Sequence, residues 1–309
     1  MMTSLKTWCL LPLSVLLLVC ITPTLAEVVE LMSECNEFFL EENPPQIPEI
    51  LVDGNIMDQN RYKIICQTYK DEISEETKRT FVTLYDTTNK IAVFSAYRYK
   101  GENTGTSRPS WMIEPQLEDP KGDTYMKDSE LHHYEHQASN MDYENATDYD
   151  RGHLFPRIFA FDENDKFSTF TLTNIVPQAR NFNQGSWVNM ENCLRCILLR
   201  FCKNSNNVSE GYVVTGAQPG TEKLNNSVNI PSVLWSAFCC YNNGRNRWIA
   251  NSFWGNNVQA SPDNKIHTSP LQDPIGNQQY EFFPGSQCPV DTTADQTIRQ
   301  IKHNCPCPP

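Results

Sequence analysis

Asp150, Arg151, Gly152 and His153 are consecutive in this chain and place a carboxylate, a guanidinium, a residue without a side chain and an imidazole side by side. Those types suit hydrolysis of a phosphodiester, which needs a base for water, positive charge for the crowded phosphorus and donors that hold its oxygens. His153 is the candidate base, because a free imidazole titrates near neutral pH, at about 6.5. Arg151 could fork onto two phosphate oxygens. Gly152 would let the chain turn tightly beside a substrate, and Asp150 could orient a neighbour. By itself the tetrapeptide fits an exposed turn with an incidental histidine better than an active site.

A second segment changes that balance. Asn183-Gln184-Gly185-Ser186-Trp187 is followed by Glu191 and Arg195. At about 100° per residue a helix sets Glu191 and Arg195 one turn apart on one face, with Asn183 just ahead of its start. A hard cation such as Mg²⁺, or Mn²⁺ in its place, takes oxygen ligands and keeps several waters, so one carboxamide and one nearby carboxylate are adequate. The competing reading is a surface ion pair and an N-capping asparagine.

The elements that would position these groups are partly legible. Trp187, Met190, Leu194, Ile197, Leu198 and Phe201 recur at helical spacing and predict a helix over 186–201. Two β-rich runs, 81–85 and 91–97, flank a polar turn and predict a hairpin. Further strands are expected over 170–176, 211–215, 233–241 and 247–254. Many strands with few helices predict an α+β fold, a largely antiparallel β-sheet flanked by helices.

The two segments together resemble the DNA/RNA non-specific endonuclease family, whose members have a ββα-metal active site. The likeness continues through Thr173-Asn174-Ile175-Val176-Pro177-Gln178, Val214-Thr215-Gly216 and Ile230-Pro231-Ser232, and covers roughly 81–258. It implies that His153 activates water, that Asn183 binds Mg²⁺ directly, that Glu191 holds the metal's water shell, and that Arg151 and Arg195 grip phosphate. A further family arginine falls nearest Arg108, one residue out of register. No catalytic position is lost. DNA or RNA would then be the substrate, met through its phosphates with little base readout.

Composition sets the surroundings. Lys6 precedes an apolar run from Cys9 to Ile21 and small residues at Thr24 and Ala26, the pattern of a cleaved secretory signal over 1–26. No later stretch approaches the roughly 20 apolar residues of a membrane span. The ten cysteines after Ala26 form an even set, and Asn145, Asn207 and Asn225 begin glycosylation sequons; both agree with a secreted, disulfide-bonded protein. Cys193-Leu194-Arg195-Cys196 has the spacing of a zinc knuckle but no second ligand pair. Residues 27–75 read as an extension stapled by Cys35–Cys66, 76–290 as the endonuclease domain, and 291–309 as a Cys/Pro-rich tail. The net charge of −12 opposes a polyanion, yet 166–203 carries Lys166, Arg180, Arg195, Arg200 and Lys203 against Glu191 alone. A secreted binding module on the same fold, with its site silent, is the alternative; the acidic stretch 114–150 and the sequons favour it.

Overall fold

Successive side chains on a strand point to opposite faces, and in this chain both faces are apolar. Along Val233–Asn242, for example, Leu234, Phe238 and Cys240 enter one hydrophobic cluster while Val233, Trp235, Ala237 and Cys239 enter another. A strand so built must be covered on both sides. In the computed structural model, which describes residues 27–71, 73–102, 108–259 and 265–307, it lies within an eight-stranded sheet. The segment read as a signal peptide lies outside the described residues.

The sheet is antiparallel throughout. In chain order its strands are β1 (Val28–Val29), β2 (Tyr62–Lys70), β3 (Thr77–Asp86) and β4 (Ile91–Tyr99). After an excursion outside the sheet come β7 (Gly211–Gln218), β8 (Val233–Asn242), β9 (Arg247–Asn256) and β10 (His267–Ser269). In space they follow the order β1-β2-β3-β4-β7-β8-β9-β10. The excursion holds a separate two-stranded ribbon, β5 (Tyr149–His153) with β6 (Ile175–Ala179), and the long helix α1 (Val188–Phe201). It covers one face of the sheet, where Trp187, Met190, Leu194 and Ile197 pack with Tyr97 and Phe238. The other face is covered by Met32, Phe38 and Leu40 from the N-terminal side and Tyr280, Phe282 and Phe283 from the C-terminal side.

The α+β class and the hairpin β3–β4 agree with expectation. Residues 27–75 are not set apart from the body: β1 and β2 are strands of the central sheet, and β2 runs Tyr-Lys-Ile-Ile-Cys-Gln-Thr-Tyr-Lys with both faces covered, so no alternation advertises it. The strand expected at 170–176 lies later, at 175–179, because Leu172–Asn174 forms a helical turn. All ten cysteines after Ala26 pair: Cys35–Cys66, Cys193–Cys307, Cys196–Cys305, Cys202–Cys240 and Cys239–Cys288. The Cys193/Cys196 pair therefore ties the C-terminal tail, with its helices α2 (Ala294–Thr297) and α3 (Gln300–Asn304), onto α1. Among the described residues no helix is long and apolar enough to cross a membrane, and none of the acidic, His or Cys side chains groups in threes as a metal cluster.

Candidate active site

Asp150-Arg151-Gly152-His153 forms β5, not a turn. Pairing with β6 sets Asp150 opposite Gln178, Gly152 opposite Val176 and His153 opposite Ile175. Glycine is required at 152 by close approach: a Cβ there would lie 2.2 Å from Gln178 Oε1 and 2.6 Å from its Cβ. The chain beyond His153 is pinned by the buried Asn174. Its backbone carbonyl accepts from the Leu154 amide, its Oδ1 accepts from the Phe155 amide and the Ser95 hydroxyl, and its Nδ2 donates to the carbonyls of Phe155 and Thr169.

Alternation along β5 sends Asp150 and Gly152 one way, Arg151 and His153 the other. On the second side the His153 ring lies between Trp111, at 5.4 Å, and Phe170, at 5.2 Å between centroids. Desolvation by this setting, reinforced by Arg108 and Arg157, pushes the His153 pKa down to about 4, so the imidazole is neutral at physiological pH. Its Nε2 is buried with no hydrogen-bond partner among the described residues. A sheltered, unpartnered ring nitrogen is a place for a water that two or more polar groups could hold.

The Arg151 guanidinium lies over Trp111 at 5.4 Å and Tyr143 at 5.1 Å, and its Nη2 donates to the Asn140 carboxamide at 3.2 Å. Burial holds it below the usual guanidinium range. Trp111 thus lies against both Arg151 and the His153 ring. Arg108, offset by one residue from the family pattern, is exposed and near enough to His153 to act on its titration; the half-buried Arg157, which the sequence did not single out, acts on it too.

On the first side, Asp150 links the ribbon to the helix. Its Oδ2 accepts from Asn183 Nδ2 at 3.0 Å and Gln184 Nε2 at 2.9 Å, and its Oδ1 accepts from Arg180 Nε at 3.2 Å. Asn183 is not ahead of the helix as expected. Helical backbone begins at Arg180, and Asn183–Trp187 forms one wide π turn before α1. A π turn inserts a residue into the helical register, which sequence periodicity does not mark. With its amide nitrogen held by Asp150, the Asn183 oxygen is left for another partner.

Glu191 follows eight residues later, in the first turn of α1. Burial pushes its carboxyl up to about 8, with the Trp187 side chain drawing it down. A divalent cation nearby would hold such a carboxylate ionised, so the donor set of a free carboxamide oxygen and a sheltered carboxylate fits a hard metal. One turn on, Arg195 makes a two-pronged pair with Glu102, from Nε to Oε1 and Nη2 to Oε2. The structure thus joins Asn183 to the His153 strand through Asp150, and Glu191 to Arg195 along one helix. Elsewhere in the acidic stretch Glu114 and Asp142 are fully buried, which takes part of its charge off the surface.

A model of the DNA/RNA non-specific endonuclease family matches residues 60–298. The chain belongs to that family. The human endonuclease domain-containing 1 protein is 29% identical over 214 residues, 67% of this chain and 39% of its own length. The nuclease of Serratia marcescens is 28% identical over 159 residues, 48% of this chain and 52% of its own. Human mitochondrial endonuclease G is 35% identical over 98 residues, 30% of this chain and 28% of its own. The chain therefore spans about two fifths of the length of the human domain-containing relative it matches. The family match takes in β2, well before the first strand expected from sequence. Arg157 and Glu102 are residues near the site that the sequence reading missed, whereas Asp150, expected to orient a neighbour, accepts from three. Only Asp150 carried a signal, its place in the motif.

Proposed function

We propose that this family member is a secreted, metal-dependent endonuclease that hydrolyses phosphodiester bonds of DNA or RNA with little sequence preference. The observation that carries the reading is His153: a neutral imidazole with an unpartnered, sheltered Nε2 beside two arginines. His153 takes the proton of the attacking water. Asn183, its amide turned by Asp150, would hold Mg²⁺ through its oxygen, and Glu191 would help to hold the ion through water. The ion, when bound, supplies charge stabilisation at the phosphate and leaving oxygen. Arg108 and Arg195 hold phosphate oxygens, and Arg151 keeps Trp111 against the base. Five disulfides and the N-terminal apolar run support an extracellular setting.

The test is incubation of the purified mature chain with plasmid DNA and with RNA, in Mg²⁺ or chelator, beside His153→Ala. Metal-dependent cleavage lost in the variant is expected. Intact polymer in every lane would overturn the enzyme and favour a binding module; cleavage that survives the substitution would remove His153 as base.

A further inference from the structure

A groove of about 1450 Å³ runs from Ser186 and Arg195 on the site helix to β10 and α3. Its walls carry Arg200, Lys265 and Lys302, with Arg195 already paired to Glu102, against one acid, Asp295, in a chain whose net charge is −12. Arg200, Lys265 and Lys302 are exposed and make no ion pair among the described residues. Asp295 accepts a hydrogen bond from the Thr293 hydroxyl. The His267 ring stacks on Trp254 at 4.1 Å and 17°, so a flat aromatic edge stands ready in the wall. The floor is fixed, because Cys193–Cys307 and Cys196–Cys305 bolt the tail to α1.

A cationic channel with an ordered ring suits one ligand class in particular, a single nucleic-acid strand, whose phosphates meet the cations while a base stacks. The groove also opens at Arg195, one helical turn from Glu191. We infer that it is the path of the substrate strand on one side of the scissile phosphate, with Arg200, Lys265 and Lys302 meeting successive phosphates and His267 a base. The inference rests on the nuclease reading, but its test does not need cleavage.

Arg200→Gln, Lys265→Gln and Lys302→Gln are combined in one variant, whose melting temperature is checked against the parent. Single-stranded DNA of about 30 nucleotides is titrated in chelator by fluorescence anisotropy at several salt concentrations. Three lost phosphate contacts predict binding weaker by about 10- to 100-fold at low salt and a log–log salt slope shallower by about 2. In Mg²⁺, hydrolysis of a small phosphodiester stays within about twofold, since its phosphate reaches only the centre. Equal affinity and slope in parent and variant overturn the groove, even if both cleave DNA. No binding by the parent overturns it too, as does loss of heparin binding with DNA binding intact. A parent that binds DNA through the groove but cleaves nothing refutes the nuclease reading and leaves the groove standing.

Discussion

Removing the Asp150 carboxylate should raise the metal requirement without destroying the fold. Asp150→Ala deletes three hydrogen bonds, to Arg180, Asn183 and Gln184. Arg180 and Gln184 are exposed, so each of their bonds contributes under about 1 kcal/mol. The bond to the half-buried Asn183 amide, made to a charged acceptor, is worth about 1.5–3 kcal/mol. On the proposed metal role of Asn183 that energy sets a ligand's orientation, and losing such a partner weakens metal binding by about 10- to 100-fold. The assay is cleavage rate against Mg²⁺ concentration, with a thermal melt alongside. Half-saturation should move up by that factor while the melt falls by roughly 3–20 °C, since the lost bonds contribute about 1.5–5 kcal/mol and about 1 kcal/mol shifts a domain of this size by roughly 2–4 °C. Asn183→Ala should do the same, and the double variant should be no worse than the single ones, because both remove one ligand. Unchanged half-saturation in Asp150→Ala, or losses that multiply in the double variant, would refute the link.

Three further outcomes follow from the same geometry. With the His153 pKa pushed down to about 4, the base form persists into mild acid, so the acid limb of kcat/KM should lie well below the ordinary imidazole value of about 6.5. The stability contribution has the matching sign: the folded pKa is below the unfolded one, so it is complete above about 6.5 and lost as pH falls towards 4; a limb at 6.5 or a melt flat over that range would contradict the burial. Glu102 occupies the Arg195 fork, so Glu102→Gln should lower KM for polymer by a few fold at unchanged kcat, whereas a raised KM would make the pair a brace. Gly152→Ala should cost about 1–3 kcal/mol by overpacking against Gln178, and Gln178→Ala should restore much of it; a melt no higher in the double variant would place the strain elsewhere.

How much of this was legible depended on whether a feature announces itself locally. The helical stripe from Trp187 to Phe201 and the β3–β4 hairpin have periods that the sequence displays. Strand β2 does not, because Ile64, Ile65 and Cys66 are covered on both sides and read as an unpatterned run. The chemistry followed the same rule. His153, Asn183, Glu191 and Arg195 stand at motif spacing, so their types pointed to a metal and a phosphate. What holds them is non-local: Trp111 and Tyr143 around Arg151, Glu102 against Arg195, Asn174 behind His153. Contacts across such separations leave no spacing to read, which is why the two rings that flank Arg151 were not foreseen.

The neighbouring cysteines Cys239 and Cys240 point to opposite faces of β8, one bonded to Cys288 in the C-terminal cover and the other to Cys202 behind α1. Exchanging their partners would demand that the strand be flipped or slipped by one residue, which the ladders to β7 and β9 forbid. The paired sheet therefore accommodates only one assignment of these two thiols. The two bonds close together, and tie both covers to β8, only where the sheet between them is in register.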